Sequence, residues 1–481
     1  MISVARAETA RKSEAVRFRR ALTLLAMTLV VPGSAQLMRG NKAIGRAALR
    51  VDGLLVGIVV VGYLSLGKQG IVKLGFKPWA LIGFQVSAVV LGLCWLALFL
   101  DAWRLGRPPT LLRGHRMVAA GISLTLMAGV ATPMAWGVSV LDAQRHLIRE
   151  VLVPGPIGET YKGRLNILLL GGDGGLDRTG IRTDSISLAS VDIDTGRTVL
   201  LSLPRNMQHV QFPPGTKMAG AFPNGFPDFL YGVYTYGAEH PDLLPGAGNP
   251  GALAVEQAVA QTLGVPVHYY ALVNLDGFKD VVNALGGITI RVEERLPIGG
   301  GKSLSGVPQP INGWIEPGLQ KLNGYRALWY ARSRATTTDY DRMARQRCVM
   351  GAILREADPL TVLRNYQELA KSAKKVLQTD LTTGAIERLI ATAPKTKASK
   401  VTSVQFNPPL INPSNPDIEA IRARVAAAIN KSEAPPTPKP AAAAVHKTKK
   451  KKKAASTTAT PPAPATAGGD PVAIDDACKY S

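Results

Sequence analysis

Three apolar runs in the first third of the chain, at about 51–66, 79–100 and 117–141, limit what it can become more than any other feature. A helix needs about 20 predominantly apolar residues to cross a bilayer, so the second and third runs are long enough and the first is short. An earlier run, 21–31, stops at Pro32-Gly33. It reads as an interfacial stretch inside a basic segment, 1–50, that stays in the cytoplasm. With three crossings of the plasma membrane, the cytoplasmic parts are 1–50, holding ten Lys or Arg, and 101–116, holding Arg104, Arg107, Arg113 and Arg116. The opposite loop, 67–78, then carries only Lys68, Lys73 and Lys77. Four crossings would move Arg39, Lys42, Arg46 and Arg50 outside, so the positive-inside rule favours three, with the chain beyond 141 extracytoplasmic. The competing account is a signal peptide, because a basic start, a short apolar run and Gly33-Ser34-Ala35 satisfy its pattern; cleavage there would reverse the topology.

After a Pro/Gly-containing linker at 142–159, a globular domain occupies 160–430. Residues 165–170 are apolar and run into Gly171-Gly172, the pattern of a buried strand entering a tight turn, with Asp173 on the turn. A polar loop with Asp177, Arg178, Arg182 and Asp184 follows; 185–191 resumes the alternation, and a third strand at 198–203 stops at Pro204 with Arg205 beyond it. Asp and Gly are ordinary turn residues. Carboxylates and guanidiniums gathered at strand ends, beside glycines that let backbone approach a ligand, also suit a magnesium-bound phosphate. A second segment tips the balance: 323–347 brings Arg332, Arg334, Arg342, Arg345 and Arg347 near Asp339 and Asp341. On a helix, Asp339, Arg342, Arg345 and Gln346 form one polar stripe, with Met343, Val349, Met350 and Ile353 on the buried side.

The combination of LLLGGD at 168–173, RTDSI at 182–186, LLSLPR at 200–205, LVNLDGFKDVVNALGGITI at 272–290, and LNGYRALWYARSR with DYDRMARQR at 322–347 resembles the LytR-CpsA-Psr family. The resemblance spans about 160–360. Two departures stand out: Asn206 follows the Pro-Arg pair where the family often has an acid, and Gly172-Asp173 and Gly174-Gly175 replace a frequent Ser-Asp and Arg. The resemblance implies a membrane-anchored phosphotransferase that moves a glycopolymer from a polyprenyl diphosphate carrier onto peptidoglycan. It also implies a Mg2+ ion held by Asp173 and Asp184. Arg182, Arg205, Arg332 and Arg334 are then expected to clamp the diphosphate, because a planar fork contacts two oxygens at once and stays charged. Arg342, Arg345 and Gln346 extend that surface, although some arginines, Arg342 first, are expected to pair with Asp339 or Asp341 instead. Asp184, Arg205 and Arg334 are the expected catalytic groups, with Asp184 the choice for general base. The polyprenyl chain needs an apolar cleft, for which Phe226, Phe229, Tyr231 and Val233 are candidates, although a core helix explains the same residues. Two other readings remain: a polyprenyl diphosphate hydrolase that uses the same site with water, and a non-catalytic wall-precursor scaffold or regulator.

Net charge is +23, which draws anionic partners. The charge sits on the membrane margins, the arginine cluster and the tail, with no nucleic-acid-binding module, so nucleic acid is not expected. The remaining pattern predicts a helix at 253–263, strands at 268–273 and 288–292 around a helix at 276–285, helices at 323–333, 339–357, 360–377 and 383–394, and a last strand at 400–406. Interleaved strands and helices make the class α/β, a mixed central sheet with helices on both faces, preceded by transmembrane helices. Residues 431–481 turn to Ala, Pro, Thr and Lys and read as a disordered tail, either a spacer or a tether to anionic wall polymer. Three cysteines are too few for a disulfide framework; Cys348 is expected to pack on its helix, the alternative being a pair with Cys478. His209, His240 and His268 stand alone and read as packing residues. Alkaline phosphatase fused after residue 150 is expected to be active; an inactive reporter would overturn the three-crossing topology.

Overall fold

Long apolar helices and alternating strands segregate into two units, Met1–Arg149 and Glu150–Ser481, in the computed structural model. The structure describes residues 2–173, 182–301, 307–356, 377–399, 401–433 and 472–473. The first unit contains α1 (Ile2–Val30), α2 (Ser34–Arg39), α3 (Lys42–Leu74), α4 (Pro78–Leu105) and α5 (Arg113–Glu150). Three stretches, Lys42–Gly67, Pro78–Thr110 and Arg113–Glu150, are long and apolar enough to cross a membrane. Leu54, Val59, Val61, Leu64 and Leu93 leave their side chains exposed, as a lipid-facing helix surface requires. The 21–31 run forms the end of α1 and packs Leu24 and Leu25 against Phe99 and Ala102 of α4. Helix α5 runs on to Glu150, into the segment read as linker.

In the second unit, β1 (Arg164–Asp173), β2 (Arg182–Asp192) and β3 (Thr198–Leu203) form a meander. Helices α6 (Lys217–Ala221), α7 (Val233–Glu239) and α8 (Pro250–Leu263) lead to β4 (Tyr269–Asn274), which pairs parallel to β1. Next come α9 (Leu275–Ala284), β5 (Ile288–Val292), β6 (Leu296–Gly299), β7 (Ile311–Ile315), β8 (Gly318–Leu322), α10 (Gly324–Arg332) and α11 (Asp339–Glu356). The chain then adds β9 (Leu377–Thr379), α12 (Thr383–Ala398), β10 (Thr402–Gln405), α13 (Ile418–Glu433) and β11 (Val472–Ala473). The central sheet is mixed, in the order β11-β10-β3-β2-β1-β4-β9. The predicted helix at 360–377 lies largely outside the described residues, and so does Cys478.

Side chains alternate across a strand, so each strand of the meander serves two layers. Leu168, Leu170, Ile186, Leu188, Val199, Leu201 and Leu203 pack against Val255 and Val259 of α8 and Ile421 and Val425 of α13. The intervening residues, Leu169, Ala189 and Leu200, face Met350 of α11 and Val401. The first layer is a closed core. At the start of β1, Arg164 is fully buried, donating from Nε to Ser190 Oγ at 2.8 Å and from Nη2 to the Ser190 and Arg197 carbonyls at 2.8 and 3.1 Å. Arg197 in turn donates to the Ser432 and Glu433 carbonyls at 3.1 and 2.8 Å, which satisfies the end of α13.

Three sequence expectations change here. Strand β5 does not join the central sheet: it pairs with β8, while β6 pairs with β7, and these ribbons build a second core with α10 and α11 around Ile288, Ile290, Leu296, Ile315 and Tyr330. Cys348 is disulfide-bonded rather than a free packing thiol. The tail is not irregular throughout, because α13 extends to Glu433 and Val472–Ala473 pair antiparallel with β10.

On α8, burial beside Asp380 holds the Glu256 carboxyl up, to about 8, and its Oε1 has no hydrogen-bond partner. A carboxyl raised in the folded state favours folding fully below its unfolded pKa, and that advantage is lost as pH rises through the folded value. Thermal midpoints of the native chain are therefore expected to fall from about pH 5 to above 8 more steeply than those of Glu256→Gln. Parallel profiles would refute this account of Glu256.

Candidate active site

The site begins where two strand ends meet. Strand β1 finishes at Asp173, in register with Arg182 at the start of β2, and the pairing slips between Gly171 and Gly172 beside Asp184. The loop holding Asp177 and Arg178 lies outside the described residues. Strand β3, antiparallel to β2, ends at Leu203 and delivers Arg205 next to Asp184. There Arg205 Nη1 donates to Asp184 Oδ1.

The partner surface comes from the second core. Asn323 caps α10 by accepting from Arg326 N at 2.9 Å, and Gly324 sits so close to α9 that a Cβ would lie 2.1 Å from the Lys279 carbonyl oxygen. Only glycine permits that approach, which directs the end of α10 and the loop bearing Arg334. Thr338 and Asp341 cap α11 reciprocally: Asp341 accepts from Thr338 N and Oγ1 at 2.8 and 2.6 Å, and Asp341 N donates back to Thr338 Oγ1 at 3.2 Å. With Asp341 so occupied, Asp339 collects the arginines. Arg342 Nη2 lies 3.2 Å from it, Arg205 Nε 3.4 Å and Arg334 Nη1 3.5 Å. Asp339 thus ties the strand-end arginine to the helix and loop arginines across 134 residues of sequence, 339 less 205.

The predicted residues divide into groups. Asp184, Arg205 and Arg334 meet in one cluster with Asp339. Arg342 is there too but is 3% exposed, and burial lowers its pKa while Asp339 opposes that shift. It therefore works from behind as a structural partner. Arg182 lays its guanidinium over the Tyr231 ring, Cζ to centroid 4.6 Å, with Arg205 5.8 Å from the same ring. Gln346 lines the pocket that contains Asp184 and Arg205. Arg332 packs over Trp329 at 5.1 Å.

Arg345 does not belong to a phosphate-binding surface. It is fully buried and donates to the Tyr330 carbonyl at 2.9 Å, to the Ser333 carbonyl and to Thr337 Oγ1 at 2.9 Å, with Glu294 3.6 Å away. Those bonds hold the end of α10 and the loop carrying Arg334, so Arg345 positions its neighbour. The single polar stripe expected on α11 is thus split, because two layers bury the helix: Ala344, Cys348, Val349 and Ala352 enter the second core, while Met343, Arg347 and Met350 line the pocket. Sequence reasoning missed Tyr231 as a platform for arginines, although its place beside two phenylalanines at 226 and 229 was visible. The Thr338-x-x-Asp341 cap was readable as a helix start.

The apolar candidates are corrected as well. Phe226 and Val233 are buried in the closed core with α8. The open apolar cleft lies on the opposite face of the sheet, between Leu169, Ala189, Val191 and Leu200 below and Met350, Leu354, Leu389 and Ala393 above, and encloses about 470 Å³. Leu200 and Met350 line both this cleft and the pocket of Asp184 and Arg205, so the two adjoin.

Among the described residues no three His, Cys, Asp or Glu side chains converge into a metal cage. The Asp173 side chain lies outside the described residues; a carboxylate such as that of Asp184 suits Mg2+, which keeps waters and takes its other ligands from substrate phosphates. His240 stacks on Tyr236 at 4.0 Å, and His268 Nδ1 accepts from Asn166 N at 2.9 Å while burial lowers its pKa. Both are packing residues. Asp339→Asn removes the carboxylate shared by three guanidiniums and is expected to cost about 1–3 kcal/mol, discounted for partial exposure. Urea midpoints at constant m-value measure it; a loss no larger than that of Thr338→Ala would refute the hub.

A family model described as LytR_cpsA_psr matches residues 142–423. The chain is similar to the polyisoprenyl-teichoic acid–peptidoglycan teichoic acid transferase TagU of Oceanobacillus iheyensis, 29% identical over 240 residues, 49% of this chain and 65% of that protein. It is similar to the protein of the same name from Enterococcus faecalis, 29% identical over 269 residues, 54% of this chain and 77% of that one. A third relative, Biofilm regulatory protein A of Streptococcus mutans, is 28% identical over 225 residues, 45% and 50% of the two chains. The match thus spans 65% and 50% of the lengths of the first and third relatives. Among solved structures, TagV of B. subtilis matches over 57% of this chain and 98% of its own at 22% identity and TM-score 0.40. A structure of TagT bound to LIIa-WTA matches over 58% and 95%, again at 22% and 0.40. The match to the family model covers more than half of the sequence, and with it the motif blocks that supply Asp184, Arg205, Arg334 and Asp339: the chain belongs to the LytR-CpsA-Psr family.

Proposed function

We propose that this chain is a multi-pass, membrane-anchored phosphotransferase whose extracytoplasmic domain moves a glycopolymer from a polyprenyl diphosphate carrier onto peptidoglycan with the help of Mg2+. The observation that carries the reading is that a charged pocket and an apolar cleft adjoin, with Leu200 and Met350 in the lining of both. A ligand that fills both needs an anionic head and a long apolar chain. A polyprenyl diphosphate has both, and the names of the similar transferases point to the same donor class and to peptidoglycan as acceptor.

Around such a donor, Arg205 and Arg334 are held apart before substrate arrives by their shared contact with Asp339. Their charge is then set at the place where negative charge develops, with little reorganisation left to do. Arg182, steadied on Tyr231, adds a further fork. Asp184, with Asp173 at the facing strand end, would hold Mg2+, which neutralises phosphate charge and polarises the phosphoryl group. An acceptor sugar hydroxyl forms the new P–O bond at the sugar-side phosphorus, and its proton passes to Asp184. The bond from that phosphorus to the bridging oxygen breaks, and its electron pair leaves with the polyprenyl phosphate. Water in place of the sugar would make the chain a hydrolase; the acceptor decides between them.

In detergent with a labelled lipid-linked donor, peptidoglycan fragments and magnesium, wild type is expected to give a joined product by mass, and Arg205→Ala to lose about 100- to 1,000-fold in kcat. Chelation or Asp184→Ala is expected to remove turnover. Undiminished release of lipid phosphate by the Asp184→Ala, Arg205→Ala double variant would reject this site, and water as the sole acceptor would reject transfer.

A further inference from the structure

Helix α11 sets Met343, Arg347, Met350 and Leu354 along one face, at positions i, i+4, i+7 and i+11. The first three line the pocket of Asp184 and Arg205, and the last two line the apolar cleft. An arginine therefore interrupts a row of apolar side chains at the seam between charged pocket and cleft. Desolvation pushes its pKa down, to about 10; among the described residues no carboxylate opposes the shift and its buried Nε has no hydrogen-bond partner. The fully buried arginines differ: Arg164 has Ser190 and Glu433, Arg342 has Asp339, and Arg345 has backbone carbonyls and Glu294. A half-buried guanidinium without a compensating anion carries a desolvation cost that a methionine at this position would not. Across the pocket, Ser185, Ser187 and Ser202 supply neutral hydroxyls and no further charge.

We propose that Arg347 binds the lipid-side phosphate of the polyprenyl diphosphate and holds it as the leaving group. This role rests on the transfer reaction above. With the sugar-side phosphorus at Asp184 and Arg205 and the hydrocarbon in the cleft, the phosphate next to the lipid falls at the seam that Arg347 occupies. When the bridging P–O bond breaks, that phosphate passes from a singly charged diester to a monoester with two negative charges, while the acceptor proton goes to the base. A guanidinium meeting this phosphate contributes more as its charge grows, so it raises kcat rather than only lowering KM. A half-buried charge with no partner among the described residues thus sits where the charged pocket adjoins the apolar cleft.

The test uses the full chain in detergent micelles, Arg347→Met and Arg347→Lys, with geranylgeranyl monophosphate as the binding probe and the labelled donor for turnover. Arg347→Met is expected to unfold at a higher temperature than wild type without ligand, because an uncompensated charge is gone. It is also expected to bind the probe roughly 10- to 100-fold more weakly and to lose kcat more than KM, with Arg347→Lys recovering part of both. Binding equal to wild type, or a fall in unfolding temperature that accounts for the lost binding, would overturn the role of Arg347 and leave the transfer reaction standing. A wild-type chain that neither binds the probe nor turns over the donor would overturn both.

Discussion

The carboxylate of Asp339 is the contact on which the rest of the site depends. It is the first residue of α11, where the positive end of the helix favours an acid. From there it receives Arg205 from the end of β3, Arg334 from the loop after α10 and Arg342 from its own helix. These groups come from two different cores, one under the central sheet and one under the short ribbons. Without a shared anion, three guanidiniums at this distance would repel one another. With it, they stay in place, Arg342 from behind and Arg205 and Arg334 toward the pocket side.

The stability of this arrangement comes from behind. Arg345 uses its fork on the carbonyls of Tyr330 and Ser333, and so closes the C-terminal end of α10. Gly324 lets α10 lie directly on α9. Rigid supports of this kind are what preorganised electrostatics requires, because a charged pocket that relaxed around its ligand would lose much of its effect. The two faces of the central sheet divide the labour: the layer of α8 and α13 is tightly filled, while the layer of α11 and α12 leaves an open apolar cleft beside the charges.

Much of this was legible along the chain. Glycine pairs, strand alternation and the Pro204-Arg205 stop located the ends of β1, β2 and β3, since turn chemistry and a two-residue period are local properties. Asp184, Arg205 and Arg334 were named through their places at strand ends and near a helix start together with the family resemblance, and the structure brings them together with Asp339. Other assignments failed for a physical reason. Arg345 and Arg347 are two positions apart in one helix with the same chemistry, yet one is bonded to carbonyls and the other borders a cavity. Helical spacing puts them on different faces but cannot tell which face meets a cavity, because α11 is packed on two sides rather than one. Phe226 and Val233 make the same point: a fully packed core and an open cleft recruit the same side chains, and these two lie in the core.

The sequence by itself determined three helices that suit a bilayer, an α/β domain after them, and a concentration of guanidiniums that calls for an anion. Those are properties of composition and short-range period. Only the tertiary structure decided which arginines share Asp339, which are sealed in the interior, that β5 leaves the main sheet, and that the charged pocket adjoins an apolar cleft. Charge pairing and cavity shape depend on which layers meet, and residues more than a hundred positions apart meet only when the chain has folded.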